Sequence, residues 1–207
     1  KLMTAFVVFE ALKEEQILLD DRVRISKRAS SIGGSTMFLN PMLNVTVEEL
    51  LQGMIIVSGN DASMALAEHI AGTEEAFSEY MNEYAQAMGL KNTNYQNSYG
   101  LDDDEHYSSA IDIAILASRI IKDFPQYFPW YSEQSYFSDK IRDLKTDQPI
   151  KQFNRNKLLK RDKSVDGMKT GYTSSAGYCL VATAKKDNMR LIAVVTGSKT
   201  PDERTEA

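Results

Sequence analysis

The chain has 207 residues, of which 43% are hydrophobic and 26% charged, and a formal net charge of −5. A chain of that size and balance can bury a core without disulfides, and its one cysteine, Cys179, rules out an internal one. The acidic balance, with no basic stripe, argues against a nucleic-acid partner, and no stretch approaches the roughly 18 apolar residues of a membrane-spanning helix.

Leu2, Phe6, Phe9 and Leu12 recur at helical spacing, which predicts a first helix over residues 1–13. Residues 17–25 read as a turn and a short extended piece, and residues 30–35, with Gly33-Gly34, as a loop. Thr46 and Glu49 form a capping box ahead of Leu50, Leu51, Met54 and Ile55, so a helix starts there. A break follows at Ser58-Gly59-Asn60, and a second helix runs over 61–71 to stop at Gly72. Residues 73–88 are amphipathic, with Phe77, Tyr80, Met81, Tyr84 and Met88 assigned to one face and Gly89 ending the helix. Ser109 with Asp112 caps the next helix, which ends before Pro125. Weak alternation over 135–150 suggests a hairpin, and the basic cluster at 157–163 reads as a solvated loop. Residues 177–184 and 190–196 are β-rich and joined through Lys186-Asp187-Asn188, an antiparallel hairpin. Thr200-Pro201-Asp202-Glu203 starts a last helix. Helices first and strands last predict an α+β fold, with helices packed on an antiparallel sheet.

Two short motifs stand out: Ser58-Gly59-Asn60 at the helix break, and Lys169-Thr170-Gly171, expected on the first strand of the last hairpin or on its lead-in. With Lys1 as the second half of a Ser-x-x-Lys pair, they make the signature shared by class A β-lactamases and penicillin-binding proteins. Along nearly its whole length the chain resembles the D-alanyl-D-alanine carboxypeptidases, the low-molecular-mass penicillin-binding proteins. The resemblance rests on Lys1-Leu2-Met3-Thr4, Ser35-Thr36-Met37-Phe38-Leu39, Ile56-Val57-Ser58-Gly59-Asn60-Asp61, Met88-Gly89-Leu90-Lys91-Asn92-Thr93, Asn154-Arg155-Asn156 and Val165-Asp166-Gly167-Met168-Lys169-Thr170-Gly171.

The resemblance implies a β-lactamase/penicillin-binding-protein transpeptidase-like fold and one catalytic domain over 1–207. That domain would be incomplete, with N-terminal strands, the nucleophilic serine and a C-terminal part outside the sequence. The serine would lie three residues before Lys1. A hydroxyl is a weak nucleophile and needs a base, and Lys1 would be that base, with its pKa lowered by burial and by a second cation, Lys169. Ser58 would pass a proton to the leaving amine, Asn60 would orient Lys1 and the substrate amide, and Lys169 would supply positive charge. The backbone N–H groups of the serine and of Tyr172 would hold the oxyanion. Thr170 and Gly171, with Arg155 and Arg204, would receive the terminal carboxylate of the substrate. Tyr172 stands where some relatives have histidine, which leaves a backbone role intact.

The implied activity is removal of the terminal D-alanine from peptidoglycan stem pentapeptides through an acyl-enzyme, blocked by β-lactams. No cofactor or metal is implied. The expected partners are the stem peptide and β-lactams, outside the cytoplasmic membrane of a bacterium, with membrane association only through a segment not in this chain. A class A-like β-lactamase is the nearest rival. Gly59 in place of aspartate and the lack of Glu-x-x-Leu-Asn between Asn60 and Lys169 speak against it. A catalytically dead peptidoglycan-binding domain is another. His69 is assigned a structural role, Asp102-Asp103-Asp104-Glu105-His106 an acidic solvated loop, and Cys179 a buried structural thiol.

Overall fold

The computed structural model describes residues 1–143 and 146–207. Helix α1 (Leu2–Lys13) is buried on every side from Leu2 to Ala11, as expected of a helix with apolar residues all round. Around it the chain lays β1 (Arg22–Val23), α2 (Lys27–Ser30), β2 (Val45–Thr46), α3 (Val47–Gln52), α4 (Asn60–Ala71), α5 (Glu74–Ala87) and α6 (Ala110–Asp123), and α1 packs on α4, α5 and α6. Phe6 and Phe9 of α1 meet Phe124 at ring-centroid distances of 5.2 and 5.3 Å, which fastens the end of α6 to the central helix.

Local sequence explains the helix ends. Thr46 and Glu49 bond reciprocally across the first turn of α3. The hydroxyls of Thr73 and Ser109 accept from the N–H groups of Ala76 and Asp112. Such caps satisfy N–H groups that have no partner within the helix. One face was assigned wrongly: Phe77 and Met81 of α5 are buried, whereas Tyr80 is 42% exposed and belongs to the solvent side.

The break after α3 is not a simple turn. Residues Gly53–Val57 form a π-helical turn, closed by a Gly59 N–H bond to the Gly53 carbonyl at 3.3 Å, and Ser58 follows with φ +68°. Such turns insert an extra residue and recur at functional sites. A Cβ at Gly53 would stand 2.2 Å from the Met37 sulfur, so the Met37 side chain would have to move to admit one.

The β-rich part begins with the predicted hairpin, β3 (Ser135–Arg142) against β4 (Pro149–Phe153). Residues 144 and 145 of the predicted span lie outside the described residues. The basic cluster holds a short helical turn, α7 (Leu158–Arg161), rather than being loop throughout. Then come β5 (Val165–Thr173), β6 (Gly177–Lys186) and β7 (Met189–Ser198), a three-stranded antiparallel sheet in the order β5-β6-β7. Lys169-Thr170-Gly171 therefore lies on its own strand, opposite 179–181 of β6, and not on the lead-in of the hairpin's first strand. The short spacer from Thr173 to Gly177 is a second tight hairpin that the composition alone did not announce. The last helix, α8 (Pro201–Glu206), is capped by Thr200 and lies on β6 and β7, while α6 packs against β7 from the helical side.

Candidate active site

A cleft of about 910 Å³ opens between the helical layer and strand β5, and Lys1, Ser58, Asn60, Arg155, Lys169, Thr170, Gly171, Tyr172 and Arg204 all line it. The start of α1, the strained Ser58 turn, the segment after β4, strand β5 and α8 thus bring residues from five places in the chain to one wall-to-wall site.

Lys1 sits at its floor. Its Nζ donates to Asn60 Oδ1 at 2.7 Å and to the carbonyl of Tyr99 at 2.6 Å. Asn60 is held in turn: its Nδ2 donates to the Gly33 carbonyl at 2.7 Å and its N–H to the Ser35 carbonyl at 2.7 Å. Gly34 makes that approach possible, since its φ is +84° and a Cβ would stand 2.6 Å from Asn60 Nδ2. The ammonium of Lys1 is enclosed by protein although the residue keeps some exposed surface. Burial brings its pKa down from 10.5 to about 7, with Asp61 opposing and Arg155 adding to the fall. Lys1 and Lys169 act on each other as cations, and Arg155 lowers both. At Lys169 burial is again the leading cause, followed by Lys1 and the two arginines, and its pKa lies well below the ordinary lysine value. Its Nζ donates to the Thr170 carbonyl at 3.0 Å.

Ser58 does not cap α4. Gly59 occupies that position, and the Ser58 hydroxyl takes no protein partner among the described residues, so it is free at the cleft. Arg155 is exposed on the cleft wall and makes no ion pair among the described residues. Arg204 is 6% exposed, lies 5.8 Å from the Tyr178 ring centroid, and leaves its Nε without a hydrogen-bond partner. Tyr172 is 58% exposed and packs on Tyr178 with ring centroids 4.3 Å apart. Lys1, Arg155, Lys157, Lys169 and Arg204 line the cleft and no carboxylate does among the described residues. A protein of net charge −5 therefore presents a cationic cleft, suited to an anionic ligand.

Two assignments change. Cys179 is half-buried in the cleft wall, opposite Gly171 in the β5–β6 register, and is not a core thiol. His106, placed in an acidic solvated loop, also lines the cleft. Its Nδ1 accepts from the Gln96 N–H at 3.1 Å, and burial pushes its pKa down to about 4, so the ring is neutral. The carbonyl of Tyr99 was not foreseen, because a backbone acceptor leaves no signal in residue type. His69 lies away from the cleft on α4, half-buried.

Helices on an antiparallel sheet around a Lys–Asn pair and a Lys-Thr-Gly strand define a penicillin-binding-protein, transpeptidase-like fold. Penicillin-binding protein 5 of Haemophilus influenzae matches with a TM-score of 0.91 and 47% identity, over 99% of this chain and 58% of that one. The carboxypeptidase DacD of Francisella tularensis gives 0.94 at 34% identity, over 99% and 60%. The chain belongs to the D-alanyl-D-alanine carboxypeptidase family, peptidase family S11, whose model it matches over residues 1–200. Among curated relatives, carboxypeptidase DacF of Bacillus subtilis is 47% identical over 207 residues, covering 99% of this chain and 51% of the relative. DacC of Escherichia coli is 45% identical, over 97% and 50%. The chain spans about half the length of these relatives.

Proposed function

We propose that the cleft is the active site of a serine-type D-Ala-D-Ala carboxypeptidase whose nucleophile lies three residues upstream of Lys1. The observation that carries this reading is the grip on Lys1. A neutral amine has two N–H bonds, and Asn60 Oδ1 and the Tyr99 carbonyl accept both. The lone pair is left to face the cleft, where it can take the serine proton as the hydroxyl oxygen bonds to the scissile carbonyl carbon. Ser58 returns that proton to the nitrogen of the leaving D-alanine as the C–N bond breaks, and water then hydrolyses the ester. The Tyr172 N–H contributes to the oxyanion site.

Two buried lysines so close together disfavour double charge. A substrate carboxylate beside Lys169, Thr170, Arg155 and Arg204 offsets that cost, so binding of the free acid charges Lys169 while Lys1 stays neutral. β-Lactams carry a carboxylate beside a strained amide and fit the same site. A related penicillin-binding protein, D2 of Listeria monocytogenes, has been solved with ampicillin bound; it is 28% identical with a TM-score of 0.85. The substrate, a peptidoglycan stem peptide, places the protein outside the cytoplasmic membrane. With no deacylating glutamate evident in the sequence, the β-lactam acyl-enzyme is expected to hydrolyse slowly.

A form extended upstream to include the serine tests the reading. Because Lys1 must be neutral to accept a proton, its acylation rate by a penicillin should rise tenfold per pH unit below about 7 and level off above it. A flat profile, or a limb near the ordinary lysine value, would remove Lys1 as the base. Arg155→Ala or Arg204→Ala should lower kcat/KM for a D-Ala-D-Ala acid by about ten- to hundredfold. A terminally amidated peptide should be affected far less. Equal losses on acid and amide would show that neither arginine reads the carboxylate.

A further inference from the structure

Glu74, on α5, is 3% exposed and contributes nothing to the cleft wall, yet it holds the segment that grips Lys1. Its Oε1 accepts from both the N–H and the hydroxyl of Ser98, each at 3.0 Å. From the other side the Thr4 hydroxyl, one helical turn along α1 from Lys1, donates to the Ser98 carbonyl at 2.5 Å. The Ser98–Tyr99 unit is thus clamped between α5 and α1, and the next carbonyl, that of Tyr99, meets Lys1 Nζ at 2.6 Å. We propose that Glu74 is a positioning residue for Lys1, acting through Ser98 and the Tyr99 carbonyl to fix the direction of the amine.

A carboxylate suits this task because one oxygen can accept several bonds while the other faces a cation. Glu74 Oε2 lies 3.3 Å from Arg28 Nη2, which also reaches Glu75. Burial raises the Glu74 pKa, with the Ser98 bonds and Arg28 opposing. Around Lys1 the other charged or titratable groups are Asp61 on α4, Arg155 after β4 and Lys169 on β5, with His106 nearby on the cleft wall. None of them bonds to Ser98 or Tyr99, so the clamp is a separate handle on Lys1.

The proposal rests on Lys1 being the base, and the experiment keeps the two ideas apart. In the form extended upstream of Lys1, the Lys1 side chain is titrated by NMR on 13C-labelled lysine, and acylation by a penicillin is timed from about pH 5 to 9. In Glu74→Ala the Tyr99 carbonyl is released and the ammonium loses an acceptor that favours its charged form. The Lys1 pKa and the acidic limb of acylation should both move to lower pH, and the plateau rate should fall about tenfold with penicillin affinity unchanged. Glu74→Gln, which can still accept from Ser98, should titrate like the unsubstituted protein. Thr4→Val, which removes the other clamp, should reproduce the downward shift should Glu74→Ala prove unstable. An unmoved Lys1 titration in both Glu74→Ala and Thr4→Val, or a Gln variant as displaced as the Ala one, overturns the proposal. An unsubstituted protein that takes no penicillin defeats the enzyme reading, while the Lys1 titration still decides the role of Glu74.

Discussion

Replacing Lys1 by methionine, in a form that includes the upstream serine, should slow acylation by a penicillin by about 10²- to 10⁴-fold, the range of a positioned general base. Methionine keeps the length and the apolar stem, so α1 retains the packing of Leu2, Met3 and Phe6, which are buried at its start. What goes is the lone pair. Lys1→Arg is the informative companion: a guanidinium cannot be deprotonated in the working pH range and should fail as badly as methionine despite its charge. The measurement is the rate of covalent labelling by a fluorescent penicillin, with urea unfolding of each variant as the control for stability. Labelling within tenfold of the unsubstituted rate in either variant would mean that another group takes the proton.

The second large effect falls on stability. Asp61 directly follows Asn60 and is 1% exposed. Its carboxylate accepts from the Met37 N–H at 3.0 and 3.1 Å, from the Leu39 N–H at 3.0 Å and from the Ala62 N–H at 2.9 Å. These bonds pin the 35–39 segment beside the π-helical turn and hold in place the Ser35 carbonyl that Asn60 uses. In Asp61→Ala the buried N–H groups of Met37 and Leu39 lose their acceptor, at about 1–3 kcal/mol each. Relief of the desolvated charge returns part of that, so a net loss of about 2–4 kcal/mol is expected. Urea midpoints measure it, and hydrogen exchange at Met37 and Leu39 should quicken. A sign follows for pH. Burial raises the Asp61 pKa above 3.8, so the folded state holds this proton in a window where the unfolded chain has released it. Stability from this group is full below 3.8 and is lost as pH rises through the raised value. The alanine variant should lack that slope; equal slopes in both proteins would assign the titration elsewhere.

Residue types and their spacing determined most of the scaffold. Caps at Thr46, Thr73, Ser109 and Thr200, the periodicity of 1–13 and the alternation of the last hairpin are local signals, and each produced its element. The motif residues were equally legible, because a lysine, serine or asparagine at fixed spacing is visible without coordinates. Tertiary structure decided how they meet. Only the π-helical turn and the αL conformation of Ser58 aim Ser58 and Asn60 at one cleft, and helical spacing gives no sign of such a turn. Tyr80 and Cys179 were misassigned for a related reason: amphipathic and alternating patterns identify a face but not what covers it. The depressed pKa of Lys1 comes from enclosure by α1, α4 and β5, and the acceptors that fix its amine include a backbone carbonyl placed by Glu74 from a different helix. A main-chain acceptor is the same chemical group in every residue, so its use as part of a site is decided by the fold and carries no mark in the sequence.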